Sequence, residues 1–347
     1  MQIINNPNRG GEKLVPSAPY PSTDALRAAD LLARCLSAAE TPLADASALA
    51  PVAHLWIKDE RTRMGLGSFK ALGAAYVIAN HASEQADDPD GETLTGATYV
   101  TASAGNHGLS LAFGARKFGA RAIVYIAETV PESFADRLRG QNAQVVRNGA
   151  DYAASMEAAS AAAQENGWVL LSDSSWDGYF ELPYILMEGY LQLAAETVRQ
   201  CPEPPTHILL QAGVGGMAGA VAAYFRKAWG DDPIIVVVEP QAAPALQASI
   251  TEGHCVFADG PDSIMGRLDC KEPSLIALNG LARDADLFLT LTDDEVAGHL
   301  NDIAGAGFET TASGGAGVAA VLSDAARDAI GIDANARVLC ILSEVAE

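Results

Sequence analysis

Short apolar runs, bounded by glycine-containing turns and separated by segments of helical period, restrict what this chain can fold into. Pro233 to Val238 and Arg337 to Leu342 are continuous apolar runs of the kind buried on both faces of a sheet. Ala97 to Thr101, Arg121 to Ile126, Gln144 to Val146, Trp168 to Leu171 and His207 to Ala212 repeat the strand signal. Helical patterns follow them at Gly108 to Phe118, Ser133 to Gly140, Tyr152 to Glu165 and Ala218 to Trp229. Repeated strand-then-helix units predict parallel sheet covered by helices on both sides. At 347 residues the chain is long enough for two such domains or one large α/β unit. The polar stretch Asp87 to Gly96 reads as a loop at a domain edge. The first 25 residues read as irregular chain that drapes over the surface or a partner subunit.

One connection carries more than topology. Gly213-Val214-Gly215-Gly216-Met217 lies between the His207–Ala212 strand and the helix that follows. Strand, glycine-rich turn and helix start together aim backbone N–H groups along the positive end of a helix dipole, which suits a phosphate. No Gly-Lys-Ser or Gly-Lys-Thr follows, so a triphosphate loop of the Walker type is excluded. A tight turn that needs glycine only for packing fits the same letters.

Three other segments offer side chains with chemistry. Lys70, in Gly-Leu-Gly-Ser-Phe-Lys-Ala-Leu-Gly, sits among small and apolar neighbours, and Ser68 is placed to cap a helix. Burying an ammonium is costly, and a lowered pKa or a covalent imine relieves the cost. A lysine snorkelling from a helix end satisfies the pattern as well. Ser103-Ala104-Gly105-Asn106-His107 follows a strand and opens a helix, so its N–H groups and hydroxyl suit a small carboxylate. Plain capping by Ser and Asn is the alternative, and His107 alone reads as a structural histidine. Asp173 and Ser343 each follow a strand, at the sheet edge where open α/β folds bind ligands. Capping of the next helix is the competing role for Asp173.

Charge bounds the partners. Lys and Arg number 22 against 44 Asp and Glu, a formal net charge of -22. Such a surface repels nucleic-acid backbones and anionic lipid, so neither nucleic acid nor membrane is expected as a partner. No apolar run approaches a membrane span, and no signal sequence opens the chain. The 5 cysteines are scattered without a C-x-x-C pair and read as reduced thiols, mostly in the core, of a cytoplasmic enzyme. The 6 histidines show no metal-ligand spacing, so no catalytic metal is expected.

Taken together and in this order, S-F-K, S-A-G-N-H and G-V-G-G-M resemble the fold-type II pyridoxal phosphate enzymes, relatives of tryptophan synthase β, threonine dehydratase and cysteine synthase. Lys58-Asp59-Glu60, Gly65 to Lys70, Trp176 to Tyr179, Gln211 to Gly219 and Ile264 to Pro273 narrow the likeness to diaminopropionate ammonia-lyases. The resemblance runs from about His54 to near the C-terminus. It implies two open parallel-sheet α/β domains with pyridoxal 5'-phosphate in the cleft between them. One domain would comprise 1–65 and 190–347 and bind the cofactor phosphate. The other, 66–189, would carry the lysine and the substrate-carboxylate loop.

The same resemblance implies roles. Lys70 would hold the cofactor as an imine and then act as the base at the substrate α-carbon, with Phe69 packed beside the ring. Asn106 would bond the ring hydroxyl, and Ser103, Ala104, Gly105, Asn106 and His107 would take the substrate carboxylate. Gly213, Val214, Gly215, Gly216 and Met217 would bind the phosphate, and Ser343 would face the pyridine nitrogen. Serine does not keep that nitrogen protonated as an aspartate would, which suits β-elimination. Asp173 would hold a β-ammonium or exchange a proton with the leaving group.

Two departures qualify the likeness. Ala104 stands where ammonia-lyases of this type carry Asp, as in threonine dehydratases, which points to an L-configured substrate. Ala312-Ser313-Gly314-Gly315 stands where relatives have Glu-Ser-Gly, removing a carboxylate near the cofactor. The expected activity is therefore β-elimination from a small amino acid such as 2,3-diaminopropionate, giving a 2-oxo acid and ammonia. A serine, threonine or hydroxyaspartate dehydratase is the competing enzyme, and a cofactor-binding protein without turnover the competing class. The family implies a homodimer.

Overall fold

The computed structural model of the chain describes residues 1–35, 37–103 and 105–346. Its strands are β1 (Gln2–Asn5), β2 (Leu43–Asp45), β3 (His54–Asp59), β4 (Thr98–Ala102), β5 (Arg121–Ile126), β6 (Gln144–Arg147), β7 (Val169–Leu170), β8 (His207–Gln211), β9 (Ile234–Pro240), β10 (Leu287–Leu291) and β11 (Arg337–Leu342). They build two sheets. One has seven strands in the order β1-β10-β9-β8-β11-β3-β2, the other four in the order β6-β5-β4-β7. Every pairing in the smaller sheet is parallel, as are those from β10 through β3 in the larger one. The expected α/β class with two open parallel sheets is thus what the chain adopts.

The edges differ from expectation. β1 and β2 pair antiparallel to β10 and β3. The first 25 residues are therefore not wholly irregular: Gln2 to Asn5 closes one side of the sheet, and Asn6 Nδ2 donates to the carbonyls of Ala282 and Ala285. Four residues are too few for a period to show in sequence, and only the exposed ladder of β10 makes them a strand. Of the cysteines only Cys340 is buried; the other four are intermediate, which corrects their assignment to the core.

The parallel strands are buried because helices cover both faces. Val236, Val238, Leu289, Val338 and Leu342 pack on one side of the large sheet against Ala316, Val318 and Val321 of the Ala312–Leu322 helix. Ile208, Leu210, Ile235 and Val237 pack on the other side against Val221 and Phe225 of the Gly216–Trp229 helix. Alternating side-chain direction along each strand produces the two cores.

One polar cluster lies inside this apolar framework and leads into the site. Lys58 on β3, Glu60, Arg63 and Glu196 of the Glu181–Gln200 helix are fully buried charges. Lys58 Nζ and Arg63 pair with Glu196 at 2.7 and 2.6 Å, and Arg63 pairs with Glu60 at 2.7 Å. Two cations and two anions cancel, and the Thr41 carbonyl and the Gln200 amide take the remaining Lys58 protons. A buried ion network is tolerable only when every member is matched like this. It fixes residues 58–63, directly before Lys70, to that helix. Gly189 brings the same helix onto the Lys70 turn, since a Cβ there would collide with the Leu72 carbonyl.

Candidate active site

Loops at the carboxyl ends of β4, β7, β8 and β11 converge between the two sheets, where open α/β folds place ligands. β4 delivers Ser103 and the Asn106–Lys117 helix, β7 delivers Asp173, β8 the glycine loop, and β11 Ser343 and Glu344. The Lys70 segment is hydrogen-bonded to the last of these. Phe69 N donates to the Ser343 carbonyl at 3.1 Å, and Val345 N donates to the Gly67 carbonyl at 2.9 Å.

Ser68 does not cap a helix. Its hydroxyl is buried without a hydrogen-bond partner, and Phe69–Leu72 form a 3-10 turn. The α-helix begins only at Ala74, where Ser110 Oγ of the facing helix accepts the Ala75 N–H at 3.0 Å. The cap comes from a neighbour 35 positions away, which local sequence does not reveal.

Lys70 Nζ does not snorkel to solvent; it is ion-paired and hydrogen-bonded to Asp173 Oδ2. Burial opposes both charges. The pairing overcomes it, lifting the ammonium above its ordinary pKa and holding the carboxylate well below its own. Asp173 caps no helix, because the next one starts at Glu181. His107 is held below its usual pKa mainly by burial. Its Nε2 lies 2.9 Å from the Leu171 carbonyl, a pure acceptor, so Nε2 carries the proton and Nδ1 is a lone pair without a partner. Tyr190 is buried with its hydroxyl interacting with Lys70, and its ring meets Phe69 edge-on at 5.1 Å. These groups surround the partly buried Lys70 amine with one carboxylate, one neutral imidazole and one phenol.

At the glycine loop the backbone is packed too closely against its neighbours to carry side chains. A Cβ on Gly213 would lie 3.0 Å from the Arg267 carbonyl and from Cys270 Sγ. Gly215 has φ +92, a conformation that favours glycine, and a Cβ there would lie 3.0 Å from Leu246. Gly216 begins the Gly216–Trp229 helix, whose first-turn N–H groups lack intrahelical acceptors. The N–H groups at this helix start, a primary amine and an amide donor match the phosphate, aldehyde and ring oxygen of pyridoxal phosphate.

Ser103 Oγ accepts N–H bonds from Gly105 and Gly108, both at 3.1 Å, tying the loop after β4 to the first turn of the Asn106–Lys117 helix, whose N-cap position is Gly105. Ala104 lies outside the described residues. Asn106 Nδ2 donates to Glu344 Oε2 at 2.6 Å. Arg267 Nε stands 3.0 Å from the same oxygen, and Thr311 donates to Oε1. Ser343 is buried beside them, directly after β11. A cavity of about 440 Å³ opens next to Asn106, lined among others by Val130, Phe134, Arg137, Arg267 and Val345. Sequence reasoning missed Glu344, Arg267, Tyr190 and Cys270. None carries a local motif, and only Arg267 and Cys270 fall within a segment already singled out. Glu344 packs against the start of the Ala312–Leu322 helix, where a Cβ built on Gly314 would lie 3.0 Å from its Cγ.

Comparison with known proteins agrees with this geometry. The family model for "Pyridoxal-phosphate dependent enzyme" matches residues 35–344. The chain is 35% identical over 259 residues to diaminopropionate ammonia-lyase of Salmonella typhimurium, covering 68% of this chain and 64% of that protein. It is 33% identical over 275 residues to the enzyme of the same name from Escherichia coli K12, covering 74% and 69%. The matched part thus spans less than two thirds of the Salmonella protein. The crystal structure of the Escherichia coli enzyme, in complex with an aminoacrylate-PLP azomethine reaction intermediate, superposes with TM-score 0.86 at 27% identity. That superposition covers 99% of this chain and 93% of the other.

Proposed function

The chain belongs to the pyridoxal-phosphate dependent enzymes, and from that premise we propose that it eliminates a β-amino group from a small amino acid such as 2,3-diaminopropionate. With water, the products are a 2-oxo acid and ammonia. The observation that carries this reading is the Lys70–Asp173 ion pair, an amine and a carboxylate side by side at the carboxyl ends of the strands.

Lys70 would hold the cofactor through Nζ, Gly213 to Met217 would take its phosphate, Asn106 its ring oxygen and Ser343 its ring nitrogen, with Phe69 beside the ring. When bound, the cofactor supplies an electron sink for the pair of electrons left at the substrate α-carbon. Lys70 Nζ, once released, accepts the α-proton. The Asp173 carboxylate would attract the substrate β-ammonium and orient it for departure. Asn106 and His107, the first residues of the Asn106–Lys117 helix, would bind the substrate carboxylate through N–H groups and the helix dipole, with Ser103 and Gly105 shaping the turn before them. Tyr190 and Phe69 keep water from the Lys70 side.

The division into units 1–65 with 190–347, and 66–189, is supported by the strands each sheet uses; the Glu181–Gln200 helix runs through the 189/190 boundary. A homodimer is the expected assembly, which light scattering tests. A cytoplasmic location is expected as well, supported by cysteines that are all free. No helix among the described residues is long and apolar enough to cross a membrane.

A panel of 2,3-diaminopropionate, serine, threonine and hydroxyaspartate, with coupled detection of the 2-oxo acid, tests the proposal. Diaminopropionate should turn over fastest, and Lys70→Ala should abolish both turnover and visible cofactor absorbance. Faster release from a hydroxyamino acid would make the protein a dehydratase, the reading that Ala104 favours. Absorbance without turnover of any amino acid would make it a cofactor-binding protein.

A further inference from the structure

Glu344 is a carboxylate with almost no exposure, gripped by three side chains from different parts of the fold. Asn106 comes from the helix after β4, Thr311 from the start of the Ala312–Leu322 helix, and Arg267 from the loop before the Leu275–Asp284 helix. The segment does not need this carboxylate to stay in place. Its backbone is fixed separately by the Phe69–Ser343 and Val345–Gly67 hydrogen bonds, and Ser343 N donates to the Gly314 carbonyl at 3.3 Å.

We propose that Glu344 is a positioning residue for the cofactor site, acting through Asn106. The inference rests on Asn106 contacting the cofactor, as proposed above. A carboxylate accepts only, so a neighbour 2.6 Å away forces the Asn106 amide to present Nδ2 rather than Oδ1 toward it. One N–H of that amide is consumed, and the second N–H and Oδ1 are left with a defined direction. Without the carboxylate the amide is free to flip, which would aim an acceptor where a ring oxygen needs a donor. Arg267 and Thr311 hold the carboxylate itself, so the orientation passes from the large sheet to a residue on the small one. The bridge between Ser68 and Glu344 places this device two residues from Lys70.

The test is a double-mutant cycle in the full-length chain, reading cofactor affinity from fluorescence quenching and from the visible absorbance band. Glu344→Ala should weaken cofactor binding about tenfold, the worth of one hydrogen bond to a charged group. In an Asn106→Ala background the same change should weaken it less than about twofold. Glu344→Gln should shift the absorbance maximum, and it carries the same comparison if Glu344→Ala does not fold. Equal weakening in both backgrounds, or none in either, would overturn the inference. A parent chain that develops no band with added cofactor would sink the cofactor site, and this role with it.

Discussion

Replacing Asp173 by Asn keeps the shape of the Lys70 partner and removes its charge. In the parent, burial pulls the Lys70 pKa down and Asp173 more than restores it. In Asp173→Asn burial is opposed only by the weaker pull of Tyr190 and Cys270, so the amine falls below its ordinary value of about 10.4. Orphaning one member of a fully buried pair costs about 3–5 kcal/mol. The side chains here are 23% and 18% exposed, and this screening reduces the expected loss to about 2–3 kcal/mol. For 347 residues the unfolding entropy is about 0.7 kcal/mol/K, so the loss corresponds to a fall of about 3–4 °C in Tm. The pH dependence should change sign. In the parent, the stabilisation from Lys70 is fully present below the ordinary lysine pKa and is lost as pH rises past it. In the variant the unfolded chain binds the proton more tightly, so stability climbs as pH approaches that value. Calorimetry of the cofactor-free protein from about pH 7 to 12 reads both effects. A variant with the parent's Tm and the parent's slope would show that Lys70 and Asp173 are not paired, and the argument for their joint role would fail.

Gly213→Ala should lower cofactor affinity by about tenfold or more, measured by absorbance titration, because the new methyl meets the Arg267 carbonyl and Cys270 Sγ at 3.0 Å. Gly189→Ala should destabilise the protein by about 1–3 kcal/mol in denaturant unfolding and also weaken cofactor binding, since the Leu72 carbonyl of the Lys70 turn must move. Glu196→Gln leaves Lys58 and Arg63 with a single carboxylate between them and should cost about 3–5 kcal/mol. The parent should lose this contribution in acid, as pH falls through the Glu196 pKa held down to about 2; a matching acid limb in the variant would exclude the network as its source.

The sequence by itself determined the layered α/β class, because wholly apolar strands need both faces covered, and that demand is visible in any run such as Val236-Val237-Val238. It also marked Lys70, Asn106, Asp173, Ser343 and the glycine loop, since each is the first polar or glycine-rich group beyond a strand or at a turn. What it did not determine were the partners. Ser68 reads as a cap because capping is local, yet the cap is Ser110 on another helix. Lys70 reads as a snorkelling lysine until Asp173, 103 positions later, stands against it. Glu344 has no motif, and it acquires meaning only when Asn106, 238 positions earlier, is brought within 2.6 Å. Periodicity reports which face of an element is buried, over a few turns of chain. The electrostatics of a site depends on distances between elements, and those exist only once the sheets have closed around it.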